Sequence, residues 1–321
     1  MIRSIQSMRE LVDGLRKSVL HQAGRDQSWW FDEVLASAAF SRPSALTGSQ
    51  IAILFGLDLC EMKSIQVTVQ PEDHAHVFES IKRFPSIGKE TIAVLTYAQE
   101  KIVTEAMKFH CALGTVIDDG NEEMKIYIGS TESENSNSLY DLLSKTGFIC
   151  PFETGASQDI LSSAMELCVL IGAGRRFGAR TGYTFYFSAG GPGGFQHIQQ
   201  VALPLGRGAA TRFRAFYDAI TVQALTSIRW GWAITLSEDG RVLSLKLEAT
   251  PSFGDFGIAK LLPDPDASQY KWLKKTAHER GVALQLQTVS CTLGPRGWGG
   301  CRYFKLNLSN EASTISQGRI S

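Results

Sequence analysis

Five pairs of strand-like segments recur along the chain at a near-constant interval, and this repeat limits the possible folds more than any other feature. The second segment of each pair alternates apolar and polar residues, which is typical of a strand buried on one face. When these segments are aligned, equivalent polar positions are Gln66, Lys125, Thr184, Ser244 and Lys305. The intervals between them are 59, 59, 60 and 61 residues. Regular spacing of this kind predicts an architecture built from repeated units.

Two further polar positions on each of these strands keep the same spacing. The next layer is Thr68, Tyr127, Tyr186, Lys246 and Asn307, and the third layer is Gln70, Gly129, Ser188, Glu248 and Ser309. Apolar residues such as Val67, Leu245 and Leu306 alternate with them. One face of each strand is therefore predicted to pack against helices while the other meets polar surroundings.

The segments between the hairpins are predicted to be helical, so that each unit is two helices followed by a hairpin. The predicted helices span residues 9–20, 29–39, 74–84, 89–109, 139–145, 158–167, 209–226 and 267–280. The glycine-rich segment from Gly190 to Gly194 is instead expected to be a flexible loop near one end of the sheet.

Ten antiparallel strands are enough to close into a barrel, which removes the exposed sheet edges. Since eight strands already leave an interior that side chains fill, ten are predicted to enclose a lumen. The predicted fold class is α+β: a ten-stranded antiparallel β-barrel with polar residues inside and a ring of helices outside. We expect one domain over residues 1–310 and a disordered tail over residues 311–321.

Composition and charge argue against several classes of protein. Lys and Arg together number 32, as do Asp and Glu, which disfavours a general binder of nucleic acid or anionic membrane. No apolar stretch approaches the roughly 18 residues of a membrane span, and the N-terminus lacks a secretory signal pattern. The six cysteines form no C-x-x-C pair, so a zinc site or a disulfide framework is disfavoured. We expect a cytoplasmic protein that is a monomer or a weak dimer.

Five ααββ units, a ten-stranded barrel and polar inward residues resemble the ABBA-type aromatic prenyltransferases, also called the PT-barrel family. The resemblance covers nearly the whole chain and includes strand patterns such as Lys125-Ile-Tyr127, Thr184-Phe-Tyr-Phe-Ser188 and Tyr303-Phe-Lys305. Compact bacterial members are the most similar in length, and cyanobacterial enzymes of hapalindole-type indole-alkaloid assembly are the preferred relatives.

The resemblance implies an enzyme that moves a dimethylallyl or geranyl group from its diphosphate to an electron-rich aromatic carbon, with an indole-type acceptor favoured. The donor ionises, and the acceptor attacks in a Friedel–Crafts step. The alternative is a non-catalytic barrel that binds a small hydrophobic or anionic ligand. Release of pyrophosphate separates the two.

Several cations must converge on an allylic diphosphate, because unpaired charges are costly to remove from water. Lys125, Lys246 and Lys305 fall on the predicted lumen face from three different repeats. Family members clamp the diphosphate with inward Lys and Arg, a pattern that Lys125 and Lys305 match. Lys246 departs from it by one layer, since Ser244 stands where an Arg is common. The alternative is that these lysines are solvated residues of the sheet. The predicted diphosphate-binding set is Lys125, Lys305, Lys246, Gln66 and Thr184.

Ionisation leaves an allylic cation, which aromatic faces stabilise and water quenches. The family shields this cation with tyrosines, which implies that role for Tyr127 and Tyr186. Tyr303 and Trp232 complete the predicted prenyl pocket. The facing of Trp230 and Trp232 stays open, because apolar residues occupy both parities of their strand. Packing against helices is the alternative for either tryptophan.

Glu248 is the candidate to orient the N–H or O–H of the acceptor and to take the proton lost at rearomatisation. Its alternative role is to pair with a lysine of the barrel. The resemblance leaves Mg²⁺ open, because the family contains members that require it and members that do not. No nucleotide cofactor is expected.

Overall fold

The computed structural model of the chain describes ten strands and part of the segments predicted to be helical. The described residues are 53–58, 64–71, 109–118, 121–130, 168–176, 182–189, 192–202, 207–223, 228–237, 242–251, 268–279, 282–294 and 297–308, with the single residues 10, 13, 14, 17, 79, 96 and 100.

These residues form ten strands and three full helices. The strands are β1 Ile53–Asp58, β2 Ser64–Val69, β3 Phe109–Asp118, β4 Asn121–Ser130, β5 Cys168–Arg176, β6 Gly182–Ala189, β7 Ile228–Ser237, β8 Val242–Pro251, β9 Val282–Gly294 and β10 Gly297–Leu308. The helices are α1 Pro192–Ala202, α2 Arg207–Gln223 and α3 Ser268–Glu279.

The ten described strands pair into one closed antiparallel barrel. Each strand pairs with the next along the chain, and β1 also pairs with β10, where Leu54 lies opposite Lys305 and Gly56 opposite Tyr303. The antiparallel β-sheet of the predicted barrel is confirmed. The five complete ααββ repeats stay a prediction, because most of the helical intervals lie outside the described residues.

The outer face of the barrel wall carries the apolar core. Ile220 of α2 packs with Ala249 of β8 and Val289 of β9, and all three are fully buried. Because side chains alternate along a strand, Leu245 and Leu247 also face outward, and both are buried. The residues between them on β8 therefore face the lumen.

Two helices that the periodicity predicts are found with small shifts at their ends. The helices expected over 209–226 and 267–280 are α2 and α3. Described residues within 9–20, 74–84 and 89–109 are helical too, although Phe109 belongs to β3. The segments 29–39, 139–145, 158–167 and 311–321 lie outside the described residues. In the part of the chain that the structure describes, no helix combines the length and apolarity that crossing a membrane requires.

The loop expected at the glycine-rich segment is wrong from Pro192 onward, where α1 begins. A proline suits the first helical position, because the N–H that it lacks would have no partner within the helix. The helix then buries Phe195, Ile198 and Ala202, which lie on one face at spacings of three and four residues. This apolar stripe outweighs the low helix propensity of the glycines.

Candidate active site

The two strands of a hairpin contribute differently to the lumen: second strands supply large polar side chains, and glycines on first strands make room for them. A Cβ atom on Gly114 of β3 would lie 3.1 Å from Cε2 of Tyr127 and 3.2 Å from Oγ1 of Thr68. A Cβ atom on Gly56 of β1 would lie 3.0 Å from Cε1 of Tyr303. The two tyrosine rings therefore lie close against the wall of the barrel.

Lys246 is at the centre of the described lumen contacts. Its Nζ lies 2.6 Å from Oε1 of Glu248, and the two side chains are only 14% and 21% exposed. The same Nζ lies 4.8 Å from the ring centroid of Tyr186 and 5.5 Å from that of Tyr303. It also donates a hydrogen bond of 3.5 Å to the Tyr303 hydroxyl. The interior thus already holds a cation between aromatic faces.

Tyr127 extends this cluster towards the first hairpin. Its ring meets that of Tyr186 edge-on, with centroids 6.1 Å apart and an interplanar angle of 62°. The side-chain amide of Gln66 donates hydrogen bonds to the Tyr127 hydroxyl at 3.2 Å and to Oγ1 of Thr68 at 3.3 Å. Side chains from all five hairpins therefore meet in one chain of contacts.

Lys125 lies near this cluster, with Nζ 4.0 Å from Oε1 of Glu123. Burial alone would lower the pKa of Lys125, but the Glu123 carboxylate and Tyr127 raise it, and the net shift is upward. The charge of Lys246 acts in the opposite direction and lowers the pKa of Lys125. Lys125 and Lys246 therefore contribute like charges to the same lumen.

The ionisable groups of the cluster have definite charges at neutral pH. Burial opposes the charged form of Lys246, but the Glu248 carboxylate, Tyr186 and Tyr303 together outweigh it, and the pKa of Lys246 is well above its ordinary value. Burial raises the pKa of the Tyr127, Tyr186 and Tyr303 phenols. The lysine is therefore a cation, and the three phenols are neutral.

Two further predicted diphosphate ligands, Lys305 and Thr184, lie at lumen-facing positions of β10 and β6. Lys305 is half-buried and lies two residues beyond Tyr303 on β10, paired with Leu54 and Gln285. Thr184 exchanges a hydrogen bond of 3.0 Å with the hydroxyl of Thr235 across β6 and β7. Their roles as diphosphate ligands stay predictions.

The structure corrects the placement of Trp232, which does not line the lumen. Trp232 is 1% exposed and stacks on Phe187, with ring centroids 4.1 Å apart. Trp230, two residues earlier and therefore on the same face, contacts Phe216 and Tyr217 of α2 at 6.3 and 4.6 Å between centroids. Trp232 thus packs in the outer core, and the small side chains of β7 face inward instead.

Sequence reasoning missed two lumen residues. Glu123, the partner of Lys125, is two residues before it on β4. Cys301 is two residues before Tyr303 on β10, and its Sγ lies 3.1 Å from the position of a Cβ on Gly56. Strand alternation around the selected lysine and tyrosine was the signal that would have found both.

Among the described residues, no group of three His, Cys, Asp or Glu side chains comes together as a metal-holding cluster would. Glu123 and Glu248 each lie beside a lysine instead. Within the described part of the chain, these two carboxylates therefore form no site for a magnesium ion held by the protein.

No protein-family model matches the sequence, and no curated protein matches it. Solved structures do match in three dimensions. The 6-dimethylallyltryptophan synthase from Micromonospora olivasterospora in complex with DMASPP and Trp is 14% identical, with a TM-score of 0.63 over 92% of this chain and 96% of that chain. AnaPT from Neosartorya fischeri is 10% identical, with a TM-score of 0.64 over 96% of both chains.

NotF in complex with brevianamide F and DMSPP is 9% identical, with a TM-score of 0.65 over 95% of this chain and 96% of that chain. At such low identities the similarity is one of fold. It extends over nearly the full length of each chain. The chain has the barrel fold of the ABBA-type aromatic prenyltransferases.

Proposed function

We propose that this protein is an aromatic prenyltransferase that moves a dimethylallyl or geranyl group from its diphosphate to an electron-rich aromatic carbon. The observation that carries the proposal is the position of the Lys246 ammonium between the rings of Tyr186 and Tyr303, beside the Glu248 carboxylate. A site that holds one cation between tyrosine faces has the electrostatics that an allylic cation needs.

The diphosphate of the donor is proposed to bind between Lys125 and Lys246, with Lys305 as a third cation. The charge of Lys246 lowers the pKa of Lys125, and a bound anion would offset this unfavourable effect, which supports this position. The C–O bond of the donor then breaks, and its electron pair leaves with the pyrophosphate.

The allylic cation left behind is proposed to lie against Tyr127 and Tyr186. Their rings meet edge-on, and their buried phenols stay neutral at physiological pH because burial raises the pKa of each. Neutral rings stabilise the cation through their faces without reacting as phenolate nucleophiles. They also keep water from trapping it.

Glu248 is proposed to accept a hydrogen bond from the N–H or O–H of the acceptor. After the attack it takes the proton that the ring carbon loses. The acceptor carbon forms the new C–C bond to the cation, and the proton lost from that carbon passes to the Glu248 carboxylate. Lys246 cannot accept this proton, because its raised pKa keeps the side chain protonated at neutral pH. An indole-type acceptor is favoured, since the structures of similar fold include complexes with Trp and with brevianamide F.

The test is to incubate the purified protein with dimethylallyl or geranyl diphosphate and a panel of indoles, phenols and naphthalenes, with and without Mg²⁺. Pyrophosphate release that depends on an aromatic acceptor, together with a prenylated product identified by mass spectrometry, is the expected result. Binding of these compounds with no pyrophosphate release under any condition would favour the non-catalytic barrel.

A further inference from the structure

The Lys246–Glu248 ion pair blocks two groups that the proposed reaction needs. At 2.6 Å the contact is a short charge-assisted hydrogen bond, and both side chains are mostly shielded from solvent. While it is formed, the Glu248 carboxylate is engaged by an internal cation, and an acceptor N–H must compete with that cation for the same oxygen. The ammonium in turn is drawn towards the carboxylate.

A second anion in the lumen would compete with Glu248 for this ammonium. The charge of Lys246 lowers the pKa of Lys125, so an anion bound near both lysines would be stabilised by both. A diphosphate carries more negative charge than one carboxylate. Bound near both lysines, it would therefore compete with Glu248 for the Lys246 ammonium.

We infer that Lys246 couples the two substrates: Glu248 holds its ammonium in the empty lumen, and a bound diphosphate draws it away, so that Glu248 becomes available to the acceptor only after the donor has bound. This inference rests on the proposed function and adds a binding order to it. Lys246 is a positioning residue in this role, because it sets which partner Glu248 has.

Coupling of this kind is reciprocal. If the donor strengthens binding of the acceptor by some factor, the acceptor strengthens binding of the donor by the same factor. Couplings between sites in one protein typically amount to about 5- to 150-fold in affinity. The coupling here passes through a single side chain, so a double-mutant cycle can isolate it.

The experiment uses calorimetric titration of the full-length protein with inorganic pyrophosphate and with dimethylallyl thiodiphosphate, without an acceptor. Glu248→Gln releases Lys246, so it should tighten binding of both probes by about 5- to 50-fold, within the usual range for coupled sites. In a Lys246→Met background the same substitution should change the affinity by less than about twofold. If Glu248 only held Lys246 in position for the anion, Glu248→Gln would instead weaken binding of both probes.

Two comparisons keep the result interpretable. Simple repulsion between Glu248 and the anion would tighten binding equally in the Lys246→Met background, and that outcome would overturn the coupling. Glu248→Asp, which has a shorter side chain and keeps its charge, should give a smaller tightening than Glu248→Gln. Glu279→Gln, which removes the exposed partner of Lys275 on α3, is the matched control and should leave the affinity unchanged.

The inference and the proposed function fail in different ways. If the wild-type protein binds both probes and Glu248→Gln binds them no more tightly, the coupling is wrong and the proposed function stands. If neither the wild-type protein nor any folded variant binds either probe, the proposed function is wrong and the coupling is wrong with it. Circular dichroism of each variant identifies those that do not fold.

Discussion

The ring and the hydroxyl of Tyr186 take part in different interactions. Its ring lies 6.1 Å from the ring of Tyr127 and 4.8 Å from the ammonium of Lys246, both measured at its centroid. Burial holds the pKa of its phenol above the ordinary value, against the opposite effect of the neighbouring Tyr127 and Lys246 side chains. Stabilisation of a cation depends on the ring, whereas contact with a diphosphate would depend on the hydroxyl.

Substitution of Tyr186 separates these contributions. Tyr186→Phe keeps the ring and should keep much of the prenylation rate, whereas Tyr186→Ala should lose most of it. The Ala variant should also divert part of the ionised donor to the prenyl alcohol, because water reaches the cation. The measurement is the ratio of alcohol to prenylated product, which general damage to folding does not raise. An unchanged ratio in the Ala variant would remove the shielding role from Tyr186.

Lys125 tests the diphosphate clamp. Lys125→Ala should leave a folded protein whose donor turnover falls by about 30- to 1,000-fold, because loss of a charged hydrogen bond in a dry site costs on the order of 2–4 kcal/mol. Lys275→Ala, which removes an exposed lysine of α3, is the control and should retain full turnover. Equal turnover in the two variants would place the Lys125 side chain outside the clamp.

The contribution of Lys246 to the free energy of unfolding should also depend on pH. Its folded-state pKa lies above the unfolded value of about 10.4, so its contribution is fully present below that value and is lost as the pH rises through the folded pKa. The difference in unfolding free energy between the wild-type protein and Lys246→Met should therefore be flat from about pH 7 to about pH 10 and then fall. Urea titrations across this range measure it. A decline that begins near neutral pH would contradict the raised pKa.

At the scale of elements, the first strands of the hairpins serve the lumen by leaving space. Gly114→Ala places a methyl group 3.1 Å from the Tyr127 ring and 3.2 Å from the backbone oxygen of Val67, which cannot easily move. Overpacking of this kind typically costs about 1–3 kcal/mol, so urea unfolding should show that loss together with reduced prenylation. Gly299→Ala on β10 is the matched control, because a Cβ there meets nothing within 4 Å. Equal stabilities of the two variants would mean that the ring of Tyr127 shifts without cost.

The alternation of the second strands made most of the site predictable. On β4, β6 and β8 one parity is consistently apolar, so Tyr127, Tyr186 and Lys246 could be assigned to the lumen from the sequence. On β7 both parities contain apolar residues, and the outward facing of Trp232 becomes clear only from its stacking on Phe187. The helix α1 was missed because its burial pattern follows a Pro-Gly-Gly sequence that favours loops.

Cross-strand contacts are the part of the site that no sequence pattern contains. Lys246 and Tyr303 belong to different layers of the repeat, yet they share a hydrogen bond. The stagger of neighbouring strands in a closed barrel brings these layers together, and it depends on how the hairpins dock. A pairing of Glu248 with a lysine of the barrel was one of the two predicted roles of Glu248. The position of the Lys246 ammonium over two tyrosine rings was not predicted.

At the scale of the whole molecule, the barrel joins β1, the first described strand, to β10, the last described strand, in one sheet. We expect a single cooperative unfolding transition, since opening any one hairpin breaks pairing on both of its sides. Far-ultraviolet circular dichroism should report the loss of strands, and tryptophan fluorescence should report exposure of Trp230 and Trp232. The two urea curves should coincide. Separate midpoints would indicate two independently folding units.

The pairing of β1 with β10 also has a consequence for synthesis on the ribosome. Leu54 can pair with Lys305 only after the ribosome has made β10. Until then, one edge of β1 stays unpaired. Open strand edges are templates for association with other chains. Molecules cut short before β10 would keep two such edges, and we expect them to aggregate, whereas the finished barrel has none to offer.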